Sequence, residues 1–120
     1  RIALYDGSGL SFFELKNIVR CQSDNAYTEF YIRENDDKNT VLRKIEVSRG
    51  MAYYEDILIS KGVFFRVHNQ HIVNIYHIKR YNKEDGGYLV MDDNTGETIP
   101  VARARKEEFL AFLKRHGMIL

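Results

Sequence analysis

The strongest constraint on the fold is a regular alternation of short β-rich runs and glycine-bearing turns in the second half of the chain. Residues 78–81 are followed by "NKEDGG", residues 88–92 by "DNTG", and residues 97–101 complete the series. Short strands joined by such short turns pair antiparallel with their sequence neighbours, because a parallel pair would need a long crossover connection. The pattern predicts a three-stranded meander, and Pro100 places its last strand at an edge or at a break in the ladder.

Three further β-rich runs lie in the first half of the chain. Residues 18–21 and 27–32 flank the polar stretch "QSDNA", and residues 40–47 follow the polar turn "ENDDKNT". The second run, "YTEFYI", alternates between two unlike faces with the period of a β-strand. These runs predict additional antiparallel strands.

Two stretches have the spacing of amphipathic helices. The first helix is predicted over residues 51–60, with Ser48 as its N-cap, and its expected core-facing residues are Met51, Tyr54, Ile57 and Leu58. The second is predicted over residues 106–116 and ends at Gly117, and its apolar stripe is Phe109, Phe112 and Leu113. The residues therefore predict a mostly-β fold with two short helices.

The composition fits one globular domain. With 120 residues and 44% hydrophobic side chains, residues 1–120 are expected to form a single domain. The chain opens on Arg1, so we expect it to be the C-terminal part of a longer protein. Its one cysteine, Cys21, cannot form an internal disulfide, which fits a reducing cytoplasm, and no apolar run has the length of a membrane span. A net charge of +1 does not decide between nucleic-acid and protein partners.

The stretch "RVHNQHIVN" at residues 66–74 concentrates polar side chains. His68 and His71 suggest a metal, but zinc sites draw three or four ligands from Cys and His, and Cys21 is distant in the sequence. An odd spacing would also place the two histidines on opposite faces of an extended segment. Adjacent carboxylates occur only in the turn contexts "NDDK" and "MDDN", and the chain has no phosphate loop or nucleophile elbow. We therefore expect no metal site, no cofactor and no catalytic residue.

Three polar clusters fit nucleic-acid recognition. They lie at expected loops or element ends, and their members are Arg66, His68, Asn69 and Gln70; Arg103, Arg105 and Lys106; and Asn25 and Tyr27. Asn and Gln can pair with adenine and Arg with guanine in the major groove. The alternative interpretation is structural. In that interpretation Asn69 only completes a turn, Arg103 forms an ion pair with Asp93 or Glu97, and the clusters are solvated loops. From chemistry alone, a β-rich protein-interaction module is as good a reading as a nucleic-acid binder.

Four longer stretches occur in an order typical of one family. They are "LKNIVRCQSDNAYTEFYI", "LRKIEVSRGMAYYEDILISKGVFFRVH", "FFRVHNQHIVN" and "IPVARARKEEFLAFL". They resemble segments of the LytTR DNA-binding domain of bacterial response regulators. The first resembles the opening hairpin of that family and the second its strand-then-helix passage. The third resembles its Arg-Val-His segment, and the fourth its strand that ends in Pro-Val-(Ser/Ala)-Arg and is followed by the closing helix. The match covers residues 10–115. The resemblance implies an elongated set of small antiparallel β-sheets with two short helices, whose loops rather than a recognition helix enter the major groove.

The resemblance also implies roles for individual residues. The base-reading positions are Tyr27, Asn69 and Arg103, and the phosphate-contacting positions are Asn25, His68, Gln70, Arg105 and Lys106. Val73 and Asn74 match an apolar-Asn pair that we expect to be structural. Arg20 departs from the family pattern, because it stands where an apolar or aromatic residue is usual.

By the same resemblance, the expected function is sequence-specific binding of double-stranded DNA by a cytoplasmic bacterial transcription regulator of a two-component system. The implied partners are direct-repeat promoter sites, a second copy of the chain on DNA, and an N-terminal receiver or sensor domain. The alternative is a β-rich protein-interaction or dimerisation module without direct DNA readout, in which exposed strand edges bind a peptide or a sister subunit.

Overall fold

Strands dominate the structure, a computed structural model that describes residues 1–35 and 40–119. The polar turn predicted over "ENDDKNT" therefore lies mostly outside the described residues. In chain order the elements are β1 (Ile2–Tyr5), β2 (Leu10–Phe13), β3 (Ile18–Asp24), β4 (Tyr27–Asn35), β5 (Thr40–Val47), α1 (Met51–Ile59), β6 (Phe64–His68), β7 (His71–Asn74), β8 (Ile78–Asn82), β9 (Tyr88–Met91), β10 (Thr98–Pro100) and α2 (Lys106–Arg115). The prediction of a mostly-β fold with small antiparallel sheets and two helices is confirmed.

The largest sheet has five strands in the order β5-β4-β3-β7-β6, and every pair in it is antiparallel. Strand β3 extends beyond its predicted run to Asp24, because Gln22 pairs with Glu29 and Ser23 with Thr28, and β4 continues to Asn35 along β5. The polar stretch is therefore mostly strand, and only Asn25 and its neighbour form the turn. Asn25 has a φ of 57°, a left-handed conformation that asparagine adopts more readily than most residues.

The predicted meander is confirmed as a three-stranded sheet in the order β10-β9-β8. Pro100 lies in β10, an edge strand, where the missing N–H breaks no inner ladder. Strands β1 and β2 form a separate two-stranded hairpin, which was not predicted from the sequence.

Two hydrophobic clusters lie on the two faces of the five-stranded sheet. The first unites the β1–β2 hairpin and α1 with one sheet face, where Cys21 and Phe30 are buried side by side. Burial raises the pKa of the Cys21 thiol to about 12, as expected for a small buried hydrophobe. The second cluster packs the meander and α2 on the opposite face, where Phe109 and Leu113 are buried as predicted. The sheet is thus covered on both sides, within principal extents of 41 × 35 × 25 Å.

Two details of the first helix differ from the prediction. Ile57 is 39% exposed, because α1 buries only Met51, Tyr54 and Leu58, a narrower stripe than the sequence suggests. Ser48 does not cap the helix, since Gly50 holds the N-cap position and no side chain bonds there. Neither α-helix in residues 1–35 and 40–119 is long and apolar enough to cross a membrane.

The family-implied structural role of Asn74 is confirmed by its contacts. Asn74 is 1% exposed at the end of β7. Its Nδ2 donates to the carbonyl of Ile18 at 3.0 Å and to that of Leu15 at 3.4 Å, and its Oδ1 accepts from the N–H of Tyr76 at 3.0 Å. The amide therefore satisfies backbone groups from three places in the interior, where unpaired polar groups are costly.

Candidate nucleic-acid interface

Three polar segments meet at one end of the five-stranded sheet. They are the β3–β4 turn, the two-residue β6–β7 turn and the approach to α2, and we call them together the turn surface: Asp24–Tyr27, His68–His71 and Ala102–Lys106. The N–H of Ser23 donates to the carbonyl of Gln70 at 3.0 Å, and the N–H of Ala102 donates to the carbonyl of Val67 at 2.7 Å. Backbone hydrogen bonds therefore join segments that lie far apart in the sequence.

The expectation that the two histidines oppose each other across one strand is wrong. Asn69 and Gln70 form a tight turn, so His68 pairs directly with His71 across the hairpin, with ring centroids 5.6 Å apart. Nδ1 of His68 accepts the N–H of Gln70 at 3.1 Å, so the neutral ring carries its proton on Nε2. His68 thus offers a donor from Nε2.

The ring of His71 is half-buried. Burial is the main cause that lowers its pKa from 6.5 to about 4, and the charges of His68 and Arg20 contribute in the same direction. Its Nδ1 is buried and has no hydrogen-bond partner within residues 1–35 and 40–119. His71 is therefore held as a neutral ring at ordinary pH.

Asn69 is exposed, yet two arginines hold it in place. Nη2 of Arg66 donates to its backbone carbonyl at 2.5 Å, and Nη2 of Arg105 donates to its side-chain Oδ1 at 3.3 Å. Nη1 of Arg105 also donates to the carbonyl of Arg66 at 3.4 Å, and Nη1 of Arg66 pairs with Glu55 of α1. The turn is therefore fixed by side chains as well as by its backbone.

Arg103 does not form the ion pairs that the sequence allowed. The buried Arg20 instead donates from Nε to Asp93 and from Nη2 to Glu97, each at 2.8 Å. Arg103 stands exposed in a short 3-10 turn before α2, and Lys106 is the first residue of that helix. The prediction that Arg103 and Lys106 lie in one cluster is consistent with these positions, whereas the contacts of Arg20 were not predicted.

The β3–β4 turn contributes Asn25 and Tyr27, both exposed, with Tyr27 at 45%. Next to them, Oγ1 of Thr28 donates to the carbonyl of Arg49 at 2.7 Å, which places the β5–α1 loop at the same end of the sheet. Arg49 is exposed, and its guanidinium lies 4.2 Å from the ring centre of Tyr53. Arg49 was not among the predicted site residues, although its position as a basic residue between a strand and a helix is visible in the sequence.

An acidic group borders the turn surface. Carboxylate oxygens of Asp24, Glu29 and Glu46 lie within 4.8 Å of one another on the sheet face next to the β3–β4 turn. Burial by itself raises the pKa of Glu29, but hydrogen bonds from Lys44 and Tyr31 outweigh it and the pKa falls below its usual range. The sheet face beside the β3–β4 turn is therefore negatively charged. Positive charges at this end of the sheet come from Arg49, Arg103 and Lys106.

Comparisons with known proteins give the family to which this chain is similar. A family model described as the LytTr DNA-binding domain matches residues 8–114. The heme-containing CO-sensing transcriptional regulator RcoM 2 of Paraburkholderia xenovorans (strain LB400) is 30% identical over 115 residues, which cover 94% of this chain and 39% of that protein. RcoM 1 of the same strain is 29% identical over 117 residues, and the chain again spans 39% of its length.

A solved structure has the same fold. The LytTr DNA-binding domain of a methyl-accepting/DNA response regulator from Bacillus cereus superposes with a TM-score of 0.66 at 22% sequence identity, covering 93% of this chain and 94% of that one. The overall fold is thus shared with a solved LytTr domain. Since the family model spans nearly the whole chain, the protein belongs to the LytTR family of DNA-binding domains.

Proposed function

We propose that this chain binds double-stranded DNA sequence-specifically and that its turns, rather than a helix, enter the major groove. The observation that carries the proposal is the convergence of three exposed polar segments at one end of the sheet, joined by the Ser23–Gln70 and Ala102–Val67 backbone hydrogen bonds. Protruding turns on a rigid sheet can reach base edges without a recognition helix, and α2 buries Phe109 and Leu113 in the core.

Tyr27, Asn69 and Arg103 are the proposed base readers. Each is exposed, and each belongs to a different one of the three segments. Arg103 fits a guanine edge, because its guanidinium is not engaged by Asp93 or Glu97. Asn69 offers an amide at the tip of its turn, and Tyr27 offers a hydroxyl and an aromatic edge.

Phosphate contacts are proposed for the residues around these readers. They are Asn25, His68, Gln70 and Lys106, and we add Arg49, whose carbonyl accepts from Thr28 beside the β3–β4 turn. His68 would donate from Nε2, and Lys106 would act together with the positive end of α2. The carboxylates of Asp24, Glu29 and Glu46 repel phosphate, so we propose that the DNA backbone avoids that part of the sheet.

The biological setting that we propose is a cytoplasmic bacterial transcription regulator. The matched relatives are named as CO-sensing transcriptional regulators and are longer than this chain, which supports a regulator in which this domain is joined to a receiver or sensor domain. Pairs of copies on direct-repeat promoter sites follow from the family resemblance.

The test begins with a selection of genomic fragments by the purified protein, followed by fluorescence-anisotropy titrations on the selected site and on unrelated DNA. Asn69→Ala and Arg103→Ala should each weaken binding to the selected site by about 1–3 kcal/mol and leave unrelated DNA nearly unchanged. Lys106→Ala should weaken both and reduce the slope of log K against log salt by about one.

Arg115→Ala is the matched control, because Arg115 is the last residue of α2, roughly 14 Å along the helix from Lys106. It removes the same charge as Arg103→Ala away from the turn surface. If Asn69→Ala and Arg103→Ala fold normally and bind the selected site as the wild type does, the assignment of base readers is wrong.

A protein-interaction module is the second candidate, and one observation favours it. Tyr5, Leu10 and Phe12 are 70%, 50% and 65% exposed on the outer face of the β1–β2 hairpin, a larger apolar surface than isolated exposed residues would give. Absence of salt-sensitive DNA binding in the titrations above would favour this candidate over DNA recognition.

A further inference from the structure

We propose that Arg105 is a specificity-positioning residue, which acts on DNA through Asn69 rather than by contacting phosphate itself. The inference rests on the proposed function and assigns Arg105 a different role from the phosphate contact that the family resemblance implies. Its basis is the contact between Nη2 of Arg105 and Oδ1 of Asn69 at 3.3 Å, beside the contact between Nη1 and the carbonyl of Arg66 at 3.4 Å.

The chemistry of this contact fixes which way the Asn69 amide points. A guanidinium has only donors, so the amide atom that faces Arg105 must be the oxygen. The two N–H bonds of Nδ2 are then the groups that remain to face outward. Without Arg105, the amide could rotate by 180° and exchange donor for acceptor.

A fixed amide has consequences for base reading. A bidentate contact to adenine requires the amide to donate to N7 and to accept from N6. Arg105 already donates to Oδ1, and its positive charge opposes the approach of a further donor from that side. Asn69 is therefore presented chiefly as a donor, which suits acceptor edges such as N7 and O6 of guanine.

The geometry also separates this role from that of a phosphate contact. Arg105 is half-buried, and both terminal nitrogens of its guanidinium donate to oxygens of the β6–β7 hairpin. The planar fork of arginine places two separate nitrogens on these two oxygens, a geometry that the single nitrogen of lysine does not reproduce, while a simple phosphate contact tolerates lysine. Arg105→Lys therefore distinguishes the two roles without changing the net charge.

The experiment is a double-mutant cycle measured by anisotropy on the selected site, on the same site with single base-pair changes, and on unrelated DNA. Arg105→Lys and Asn69→Ala should each reduce affinity for the selected site roughly 10-fold, and the double variant should lose no more than the larger single loss. Independent contributions would multiply to roughly 100-fold in the double variant. Arg105→Lys should also relax the preference at one base pair and keep the wild-type salt slope.

Three results would overturn the inference: a multiplicative double variant, an Arg105→Lys variant that discriminates like the wild type, or an Arg105→Met variant that weakens all DNA equally with a reduced salt slope. Arg115→Met is the control for the loss of charge, and circular dichroism verifies that each variant is folded. If the wild type shows no sequence preference, the proposed function fails. If the wild type discriminates and Arg105→Lys does too, only the role of Arg105 fails.

Discussion

Arg20 gives the sharpest prediction about stability. Its side chain is 0% exposed. Its guanidinium donates to Asp93 and to Glu97, each at 2.8 Å, and to Gln22 at 2.7 Å. It also lies 3.7 Å from the ring centre of Tyr31. These contacts join the five-stranded sheet to the turn between β9 and β10. Arg20→Met removes the charge and keeps an apolar stem of comparable length.

The expected cost comes mainly from Asp93, whose side chain is 2% exposed. Burial by itself raises the pKa of Asp93, but the hydrogen bonds from Arg20 and Thr95 outweigh it, so the pKa is lowered and the carboxylate is charged. In Arg20→Met, Oδ1 keeps its bonds from Thr95, whereas Oδ2 loses the bond from Nε of Arg20. Removing one partner of a buried ion pair costs about 3–5 kcal/mol, and we expect Arg20→Met to fall in that range.

Urea unfolding followed by far-UV circular dichroism is the suitable assay, since the chain contains no tryptophan. Glu97→Gln is the matched control: the Glu97 side chain is 48% exposed, and losing its charge should cost less than about 1 kcal/mol. The double variant Arg20→Met with Asp93→Asn should be more stable than Arg20→Met alone, because no uncompensated charge remains. An Arg20→Met variant within about 1 kcal/mol of the wild type would refute this reasoning.

Two further predictions concern the interior of the hairpins. The pKa of His71 is about 4 in the folded protein against 6.5 when exposed, so the unfolded chain binds the proton more tightly, and stability present above pH 6.5 is lost as the pH falls towards 4. In His71→Gln, the unfolding free energy should fall by up to about 3 kcal/mol less over that pH window than it does in the wild type. Parallel curves of unfolding free energy against pH for the variant and the wild type would contradict the lowered pKa of His71. Asn74→Ala should lower the unfolding free energy by about 2–3 kcal/mol in urea titrations, because it leaves the buried carbonyl of Ile18 without the Nδ2 donor; a loss as small as that of an exposed asparagine would count against it.

Much of the fold was predictable because local patterns and tertiary structure agree. The meander followed from turn residues at regular spacing, and α2 followed from its apolar stripe and Gly117. The β1–β2 hairpin was missed, because its outer face carries exposed aromatic residues rather than a polar alternation. The N-cap of α1 was misplaced, since Gly50 provides no side-chain signal.

The candidate site was predictable in its parts and not in its connections. The sequence pointed to the three polar clusters, but no local pattern could show that Arg20 would take Asp93 and Glu97, which are 73 and 77 residues away. The histidine pair was misjudged because an odd spacing places residues on opposite faces only while the strand continues, and a two-residue turn at Asn69 reverses the chain. Contacts of this kind depend on the fold as a whole.

The hydrogen bonds between the three segments of the turn surface affect the thermodynamics of DNA binding. Ordering a flexible side chain on binding costs about 0.5–1.5 kcal/mol, and loops that fold on binding cost more. Here Ser23–Gln70, Ala102–Val67 and Arg105–Asn69 already hold the three segments before any partner arrives. We therefore expect only a small loss of protein conformational entropy on DNA binding, and a heat-capacity change in calorimetry no larger than the buried contact surface accounts for. The duplex, by bending to meet three fixed points, would then make most of the structural adjustment.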